Sequence, residues 1–139
     1  MTNWDEANIA PPGERPKLRI LLVDDEVDFT RLLRANLEIT EEYEVQMENN
    51  PVRVLDVARA FKPNLIVLDF LMPGMDGGEV AAQIRADATL KNTPILFLTA
   101  AVSSREVDSW VNKISGPCLA KPIMPEDLIA WIELHLKPS

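Results

Sequence analysis

The sequence predicts an α/β protein built on a doubly wound, five-stranded parallel sheet. Five apolar segments alternate along the chain with segments of helical periodicity. Segment 65–70 is apolar almost throughout, as expected for a central parallel strand with both faces covered. Segment 43–48 alternates apolar and polar residues, which is typical of a half-exposed edge strand. Alternation of strands and helices favours a parallel sheet with right-handed crossovers and helices on both faces.

The first half of this pattern contains three strands and three helices. The first strand covers 18–23, and the helix after it has an apolar stripe that Asn36 interrupts. The second helix follows Pro51, and the third begins near Gly78. The inward faces of these helices are predicted to carry Phe29, Leu32, Leu33, Leu37, Leu55, Ala58, Phe61, Val80, Ala81 and Ile84.

The second half is predicted to contain a fourth strand over 95–98, a helix over 104–114 and a short fifth strand over 118–120. Pro125 opens the last helix at its first turn, where a missing N–H costs nothing. The inward residues of this helix are Leu128, Ile132 and either His135 or Leu136.

The chain has 139 residues, which suits one domain with its own core. Residues 1–16 combine prolines and a glycine with polar residues, and we expect a flexible N-terminal tail followed by a domain over 17–139. Trp4 is the exception within this tail. It either docks on the domain or a partner, or it is a solvated tail residue.

The composition limits which partners the protein can bind and in which cell compartment it can work. The net charge is −8 and the 14 basic residues are scattered, which argues against nucleic-acid binding. No apolar run approaches the ~20 residues that cross a bilayer, and the N-terminus lacks the features of a signal peptide. The single cysteine fits a reducing compartment. We therefore expect a cytoplasmic protein without membrane contact.

Carboxylates stand at the ends of two predicted strands. Asp69 ends the apolar run 65–68 and is followed by a Pro-Gly turn, and Asp24 and Asp25 end the first strand. Ligands of open α/β sheets bind at the carboxyl ends of the strands. Three carboxylates there would repel one another unless a cation lay between them. Such a set of hard oxygens suits Mg²⁺, or Mn²⁺ in its place.

Two further polar residues follow the remaining strands. Thr99 follows the fourth strand, and Lys121 follows the fifth and precedes Pro122. Asp69 comes 44 residues after Asp25, Thr99 comes 30 after Asp69, and Lys121 comes 52 after Asp69. With these residues and spacings, the sequence from about Leu18 to Leu136 resembles the receiver domains of two-component response regulators.

The resemblance implies a flavodoxin-like (βα)5 fold with strand order 2-1-3-4-5, in which the first and third strands are neighbours. It implies that Asp69 accepts a phosphoryl group from a histidine kinase or a histidine phosphotransfer protein. Asp25 would bind Mg²⁺ directly, Asp24 largely through water, and the Leu71 carbonyl would be a further ligand. Thr99 and Lys121 would contact the phosphoryl group, and the Lys121–Pro122 bond would favour cis.

The sequence departs from the family at three positions. Many receivers have an aromatic residue three positions before the lysine, where this chain has Cys118. A small thiol cannot swing as a ring does, so we expect a small buried hydrophobe here rather than a redox switch. Leu71 and Ala101 occupy the positions that flank the water attacking the phosphoryl group. Neither side chain can orient that water, which predicts slow dephosphorylation.

The alignment with the family also suggests a partner face. Val107, Val111 and Trp131, with Cys118 beside them, fall on the face that receivers use for a downstream protein target or for a phosphorylation-dependent homodimer. Packing of these apolar residues in the core is the alternative. His135, the only histidine, has no ligand set near it in sequence and is interpreted as a packing residue.

Two other functions remain open at this point. A phosphatase of the haloacid-dehalogenase type also uses a strand-end Asp, a Thr or Ser and a Lys. That family has a second acid two residues after the nucleophile, where this chain has Leu71. A pseudo-receiver that only binds proteins would not need the complete set of acids. We therefore expect a phosphoacceptor, not a multiple-turnover enzyme.

Overall fold

A computed structural model of the chain describes residues 16–72, 74–99 and 116–136. The strands are β1 (Leu18–Val23), β2 (Tyr43–Glu48), β3 (Leu65–Asp69), β4 (Ile95–Thr99) and β5 (Cys118–Ala120). The helices of the described residues are α1 (Val27–Ile39), α2 (Val54–Phe61), α3 (Gly77–Ala86) and α4 (Pro125–His135), and a 3-10 turn, Pro51–Arg53, precedes α2. All strand pairs are parallel, in the order β2-β1-β3-β4-β5. The predicted fold class and strand order are confirmed.

The core consists of two apolar layers, one on each face of the sheet. One layer lies under α1 and α4 and includes Ile20, Leu22, Leu33, Leu37, Leu128 and Ile132. The other lies under α2 and α3 and includes Leu21, Val23, Ile66, Ala58, Val80 and Ile84. Successive residues of β1 therefore enter opposite layers, as the twofold period of a strand requires. Every residue of β3 is buried, which explains its continuous apolar sequence.

The strand β2 lies at the edge of the sheet, as its alternating sequence predicted. It pairs with β1, while its other side has no strand neighbour among the described residues. Tyr43 and Val45 are buried, whereas Glu44 and Gln46 are exposed. The polar outward residues, one of them the charged Glu44, disfavour pairing of this edge with another chain.

The prediction that Leu32 faces inward on α1 is wrong. Leu33 and Leu37 are buried and Phe29 is partly buried, but Leu32 is 64% exposed. At 3.6 residues per turn, adjacent positions point about 100° apart, so Leu32 lies off the stripe that contains Leu33. Thr30 is buried on the same face of α1 as Leu33 and Leu37. Its hydroxyl donates to the Val27 carbonyl at 2.9 Å.

Gly77 anchors the turn from β3 into α3. Its N–H donates to the Phe70 carbonyl at 2.7 Å. A Cβ at this position would lie 2.7 Å from the Cα of Phe70 and 2.8 Å from the carbonyl oxygen of Asp69. The observed boundaries differ slightly from the predicted ones: β3 ends at Asp69, one residue before Phe70, and α3 begins one residue before Gly78.

We expect Gly77→Ala to destabilise the fold by about 2–3 kcal/mol, because the added methyl group collides with backbone that cannot rotate away. Equilibrium unfolding in urea measures this change. Ala82→Gly, at an exposed position of the same helix, is the comparison and should cost only about 0.5–1 kcal/mol. A smaller loss for Gly77→Ala than for Ala82→Gly would contradict the close contact.

The last helix begins at Pro125 as predicted, and Leu128 and Ile132 are buried. Of the two alternatives for its final turn, Leu136 packs partly against the core, whereas His135 is exposed. The His135 ring stacks on Trp131 with ring centroids 4.4 Å apart, and its Nδ1 lies 2.9 Å from the Trp131 carbonyl oxygen. His135 therefore packs within its own helix rather than in the core.

Several sequence predictions concern residues outside the described ranges. These are the N-terminal tail up to residue 15 with Trp4, and the helix predicted over 104–114. Among the helices of the described residues, none is both long and apolar enough to cross a membrane.

Candidate functional site

The carboxyl ends of the central strands bring the predicted acids together. Asp24 and Asp25 follow β1, and Asp69 is the last residue of the neighbouring β3. One carboxylate oxygen of each residue lies within 4.8 Å of the others. Asp24 and Asp69 are buried, whereas Asp25 is exposed. The crevice at the β1–β3 boundary thus contains an acidic cluster that opens to solvent through Asp25.

Lys121 reaches into this cluster from the loop after β5. The backbone N–H of Lys121 donates to the Thr99 carbonyl at 2.7 Å. The peptide bond between Lys121 and Pro122 is cis, as the resemblance implied. The ammonium nitrogen Nζ lies 2.5 Å from Asp24 Oδ2 and 3.2 Å from Asp69 Oδ2. Lys121 therefore bridges the two buried carboxylates.

Burial raises the pKa of the Asp69 carboxyl to about 7; the Asp24 charge adds to this effect and the Lys121 ammonium offsets part of it. Burial also raises the pKa of Asp24, against the opposing effects of the Lys121 ammonium and of the hydrogen bond from the Glu26 N–H. Burial alone would lower the pKa of Lys121, but the two carboxylates outweigh it and the pKa is raised. The single positive charge of Lys121 therefore does not balance the negative charges of the three clustered carboxylates.

The cluster fits a small divalent cation. Oxygens that share one Mg²⁺ lie roughly 3–4 Å apart, so small side-chain movements would bring the three carboxylates to coordinating distance. Asp24 Oδ2 is buried and makes no hydrogen bond of good geometry, although Lys121 lies beside it, so it retains a free lone pair. Carboxylate oxygens are the ligands that Mg²⁺ prefers.

We expect the affinity for Mg²⁺ to rise about tenfold from pH 6 to pH 8, because the cation must displace the proton of Asp69, whose pKa is about 7. The same raised pKa means that the metal-free fold loses stability as the pH rises from about 4 through 7. Calorimetric titration at several pH values measures the affinity. Asp69→Asn should flatten the profile, whereas the exposed Asp56→Asn should not. An unchanged profile for Asp69→Asn would contradict the assignment.

Three residues of the site were missed by sequence reasoning. The Glu26 carboxylate lies 3.3 Å from Lys121 Nζ, and the Phe29 ring lies 5.0 Å from the same nitrogen. The Asn49 amide donates to the Asp24 carbonyl at 2.7 Å. Glu26 directly follows the two acids, which was the one available sequence clue; the other two contacts depend on packing between distant segments.

Of the two residues expected to govern dephosphorylation, Leu71 and Ala101, the structure describes only Leu71. Leu71 is 39% exposed beside the cluster, and its N–H donates to Asp69 Oδ1 at 3.2 Å. Leu71 thus borders the acidic cluster through its backbone and is partly exposed to solvent. Ala101 lies outside the described residues, as do Val107 and Val111 of the predicted partner face.

The prediction that Cys118 is buried is wrong. Cys118 is exposed at the start of β5, a three-residue edge strand. Its sulfur lies 3.6 Å from the Thr99 hydroxyl oxygen, within reach of a weak hydrogen bond. A short edge strand leaves side chains uncovered that a central strand would bury, and this explains the difference.

Trp131 is neither fully buried nor fully exposed. It packs partly against the core layer under α4. It also lines a shallow cavity of about 370 Å³ together with the described residues Leu119, Ala120, Ile123, Asp127, Ala130 and Leu134. Leu134, at the rim, is 79% exposed. Trp131 therefore both packs against the core and contributes to the surface, so each of the two interpretations is partly right.

Comparison with known proteins gives consistent matches. A family model described as the response regulator receiver domain matches residues 20–133. The response regulator MprA of Mycobacterium leprae (strain TN) is 36% identical over 120 residues, which cover 86% of this chain and 51% of that protein. The DNA-binding response regulator MtrA of Mycobacterium leprae (strain TN) is 29% identical over 119 residues, with the same two coverages.

Among solved structures, the chemotaxis protein CheY4 of Vibrio cholerae superposes with a TM-score of 0.75 at 27% identity, covering 87% of this chain and 100% of that chain. The chain spans about half the length of the curated relatives it matches. The family match covers every residue of the acidic cluster and Lys121. The chain therefore belongs to the receiver domains of two-component response regulators.

Proposed function

We propose that Asp69 accepts a phosphoryl group from a histidine kinase or a histidine phosphotransfer protein, with Mg²⁺ as cofactor. The observation that carries this proposal is the bridging of Asp24 and Asp69 by Lys121 at a strand end open to solvent. A receiver that did not handle phosphate would have no use for three clustered carboxylates whose repulsion costs stability.

The chemistry follows from the residues around Asp69. A carboxylate oxygen of Asp69 attacks the phosphorus, and the bond from phosphorus to the histidine nitrogen breaks as the acyl phosphate forms. Lys121 Nζ, already 3.2 Å from Asp69, would contact a phosphoryl oxygen. Phosphoryl transfer depends mainly on positioning and charge neutralisation. Asp25, Asp69 and the Leu71 carbonyl would hold Mg²⁺, with Asp24 acting largely through water, and the ion would supply further positive charge.

Phosphorylation would then bias a two-state equilibrium through Thr99. The Thr99 hydroxyl would turn toward the phosphoryl group, and the loop after β4 would move with it. Val107, Val111, Cys118 and Trp131 would form the face that contacts a downstream protein or a second copy of the chain. The relative MtrA is named DNA-binding, but for this segment, with a net charge of −8, we propose protein partners in the cytoplasm.

Stoichiometric labelling tests the proposal against catalytic turnover. Acetyl phosphate and Mg²⁺ should add one phosphoryl group per chain, and chelation of the metal should prevent it. A phosphatase would instead hydrolyse a generic phosphate ester over many cycles. Leu71 occupies the position where such an enzyme has its second acid, so we expect no turnover of p-nitrophenyl phosphate. Sustained hydrolysis without labelling would overturn the proposal.

We expect Trp131 fluorescence to change when beryllofluoride, a phosphoryl mimic, binds with Mg²⁺, because one side of the indole lines the cavity beside β5. The chain has three tryptophans, so the change is assigned by its loss in Trp131→Phe. Trp131→Ala should weaken partner binding more than it lowers stability. A large loss of stability with unchanged binding would show that Trp131 serves only the core.

A further inference from the structure

Glu26 stands at the solvent side of the site, in a position that its helix does not explain. It is the N-cap residue of α1, yet its side chain makes no capping hydrogen bond. Its carboxylate instead turns to Lys121, with Oε1 3.3 Å from Nζ. The contact spans 95 residues of sequence. The Glu26 side chain thus contacts Lys121 of the site instead of capping its own helix.

The Lys121 ammonium lies among three carboxylates, and those of Asp69 and Glu26 each accept a hydrogen bond from it. An ammonium carries three donors and no acceptor. Asp24, Asp69 and Glu26 each place an oxygen within 3.3 Å of Nζ. A phosphoryl oxygen that binds Lys121 therefore competes with these carboxylates for the ammonium.

Glu26 is the partner that separates most easily. The side chains of Asp24 and Asp69 are 2% and 5% exposed, whereas that of Glu26 is 65% exposed. An exposed ion pair contributes little, because water solvates both charges when they separate. A buried carboxylate that lost its cation would remain desolvated. The incoming phosphoryl group should therefore displace Glu26.

Glu26 also places a negative charge beside the reacting oxygen. Its Oε1 and Asp69 Oδ2 both lie within 3.3 Å of Lys121 Nζ, so they are separated by at most twice that distance. Like charges at this range repel measurably even in water, and the repulsion grows with the charge of the incoming group.

We infer that Glu26 is a specificity-determining residue that restrains loading from highly charged phosphodonors. It acts by occupying one N–H donor of Lys121 and by opposing the approach of a dianion. The donor class it disfavours is the dianionic acyl phosphate, in comparison with less charged N-phosphoryl compounds. This inference rests on the proposed function of Asp69 as phosphoacceptor.

The rates of loading from two small donors test the inference. With acetyl phosphate, Asp69 attacks phosphorus, the bond to the acetate oxygen breaks, and acetate leaves with the electron pair. With phosphoramidate, which carries less negative charge near neutral pH, the phosphorus–nitrogen bond breaks and ammonia leaves once its nitrogen is protonated. The variant is Glu26→Gln, which keeps the size of the side chain and removes its charge. Asp28→Asn, an exposed acid in the first turn of the same helix, is the charge-matched control.

We expect Glu26→Gln to load from acetyl phosphate about threefold to tenfold faster than the wild type, and to gain less with phosphoramidate. The difference between the two proteins should shrink as salt is raised. Asp28→Asn should leave the ratio of the two rates close to that of the wild type. A general effect on folding would alter the loading rates from both donors together and leave their ratio unchanged. A ratio that changes in Glu26→Gln but not in Asp28→Asn therefore indicates donor selection.

An unchanged ratio in Glu26→Gln, or slower loading from both donors, would overturn the inference while leaving Asp69 as the phosphoacceptor. An equal change of the ratio in Asp28→Asn would also overturn it, because net charge rather than Glu26 would then be responsible. Wild-type protein that took up no phosphoryl group from either donor would overturn the proposed function and this inference with it.

Discussion

Replacing Lys121 with Met should slow phosphoryl loading by about 10²-fold or more, which corresponds to roughly 3 kcal/mol of lost transition-state stabilisation. Lys121 Nζ lies beside both Asp24 and Asp69, where negative charge accumulates during transfer. Methionine keeps an apolar stem of similar length and removes the ammonium, with its charge and its hydrogen-bond donors. Initial rates with acetyl phosphate at saturating Mg²⁺ measure the effect.

The same substitution should destabilise the metal-free protein by about 2–3 kcal/mol at pH 8, because two buried carboxylates lose their cation. The loss should be smaller at pH 5, because the pKa of Asp69, raised to about 7, favours the neutral form of that carboxyl there. Lys91→Met, at an exposed position, is the control for both measurements. Loading at the wild-type rate in Lys121→Met would contradict the role of this residue.

Once formed, the acyl phosphate should persist for minutes to hours rather than seconds, a difference of about 10²-fold or ~2.7 kcal/mol of barrier. Leu71 borders the acidic cluster, is partly exposed to solvent, and has no polar side-chain group to orient a water molecule. Ala101, at the other position that flanks this water in the family, has none either.

Leu71→Asn should shorten the lifetime by about tenfold, since an amide can hold the attacking water. Leu32→Asn makes the same chemical change at an exposed position of α1, away from the site, and should have no effect. Decay of labelled protein after removal of the donor gives the half-life. A wild-type half-life of a few seconds, with no phosphatase added, would contradict this explanation.

The features that sequence predicted best are those set by local pattern. The apolar runs before Asp24, Asp69, Thr99 and Lys121 identified the strands, and a parallel sheet places the ends of its strands at one edge. Once the strand order was known, the meeting of the acids followed. The position of β2 at the edge could likewise be read from its alternating residues.

The features that sequence could not predict depend on which surfaces other segments cover. Cys118 was expected to be a small buried hydrophobe, but β5 is short and lies at the edge, so the thiol is exposed. Leu32 fits a helical stripe by composition, yet α1 rotates it toward solvent. The Phe29 contact with Lys121 and the Asn49 contact with Asp24 join distant segments, and no local pattern encodes them.

The central claim is that Asp69 itself carries the phosphoryl group, and the most direct test identifies the labelled residue. The protein is loaded with acetyl phosphate and Mg²⁺, the acyl phosphate is trapped by borohydride reduction, and mass spectrometry locates the modified position. We expect one modified residue per chain, at Asp69, and no labelling of Asp69→Asn under the same conditions. Modification of Asp24 or Asp25 instead, or full labelling of Asp69→Asn, would contradict the claim.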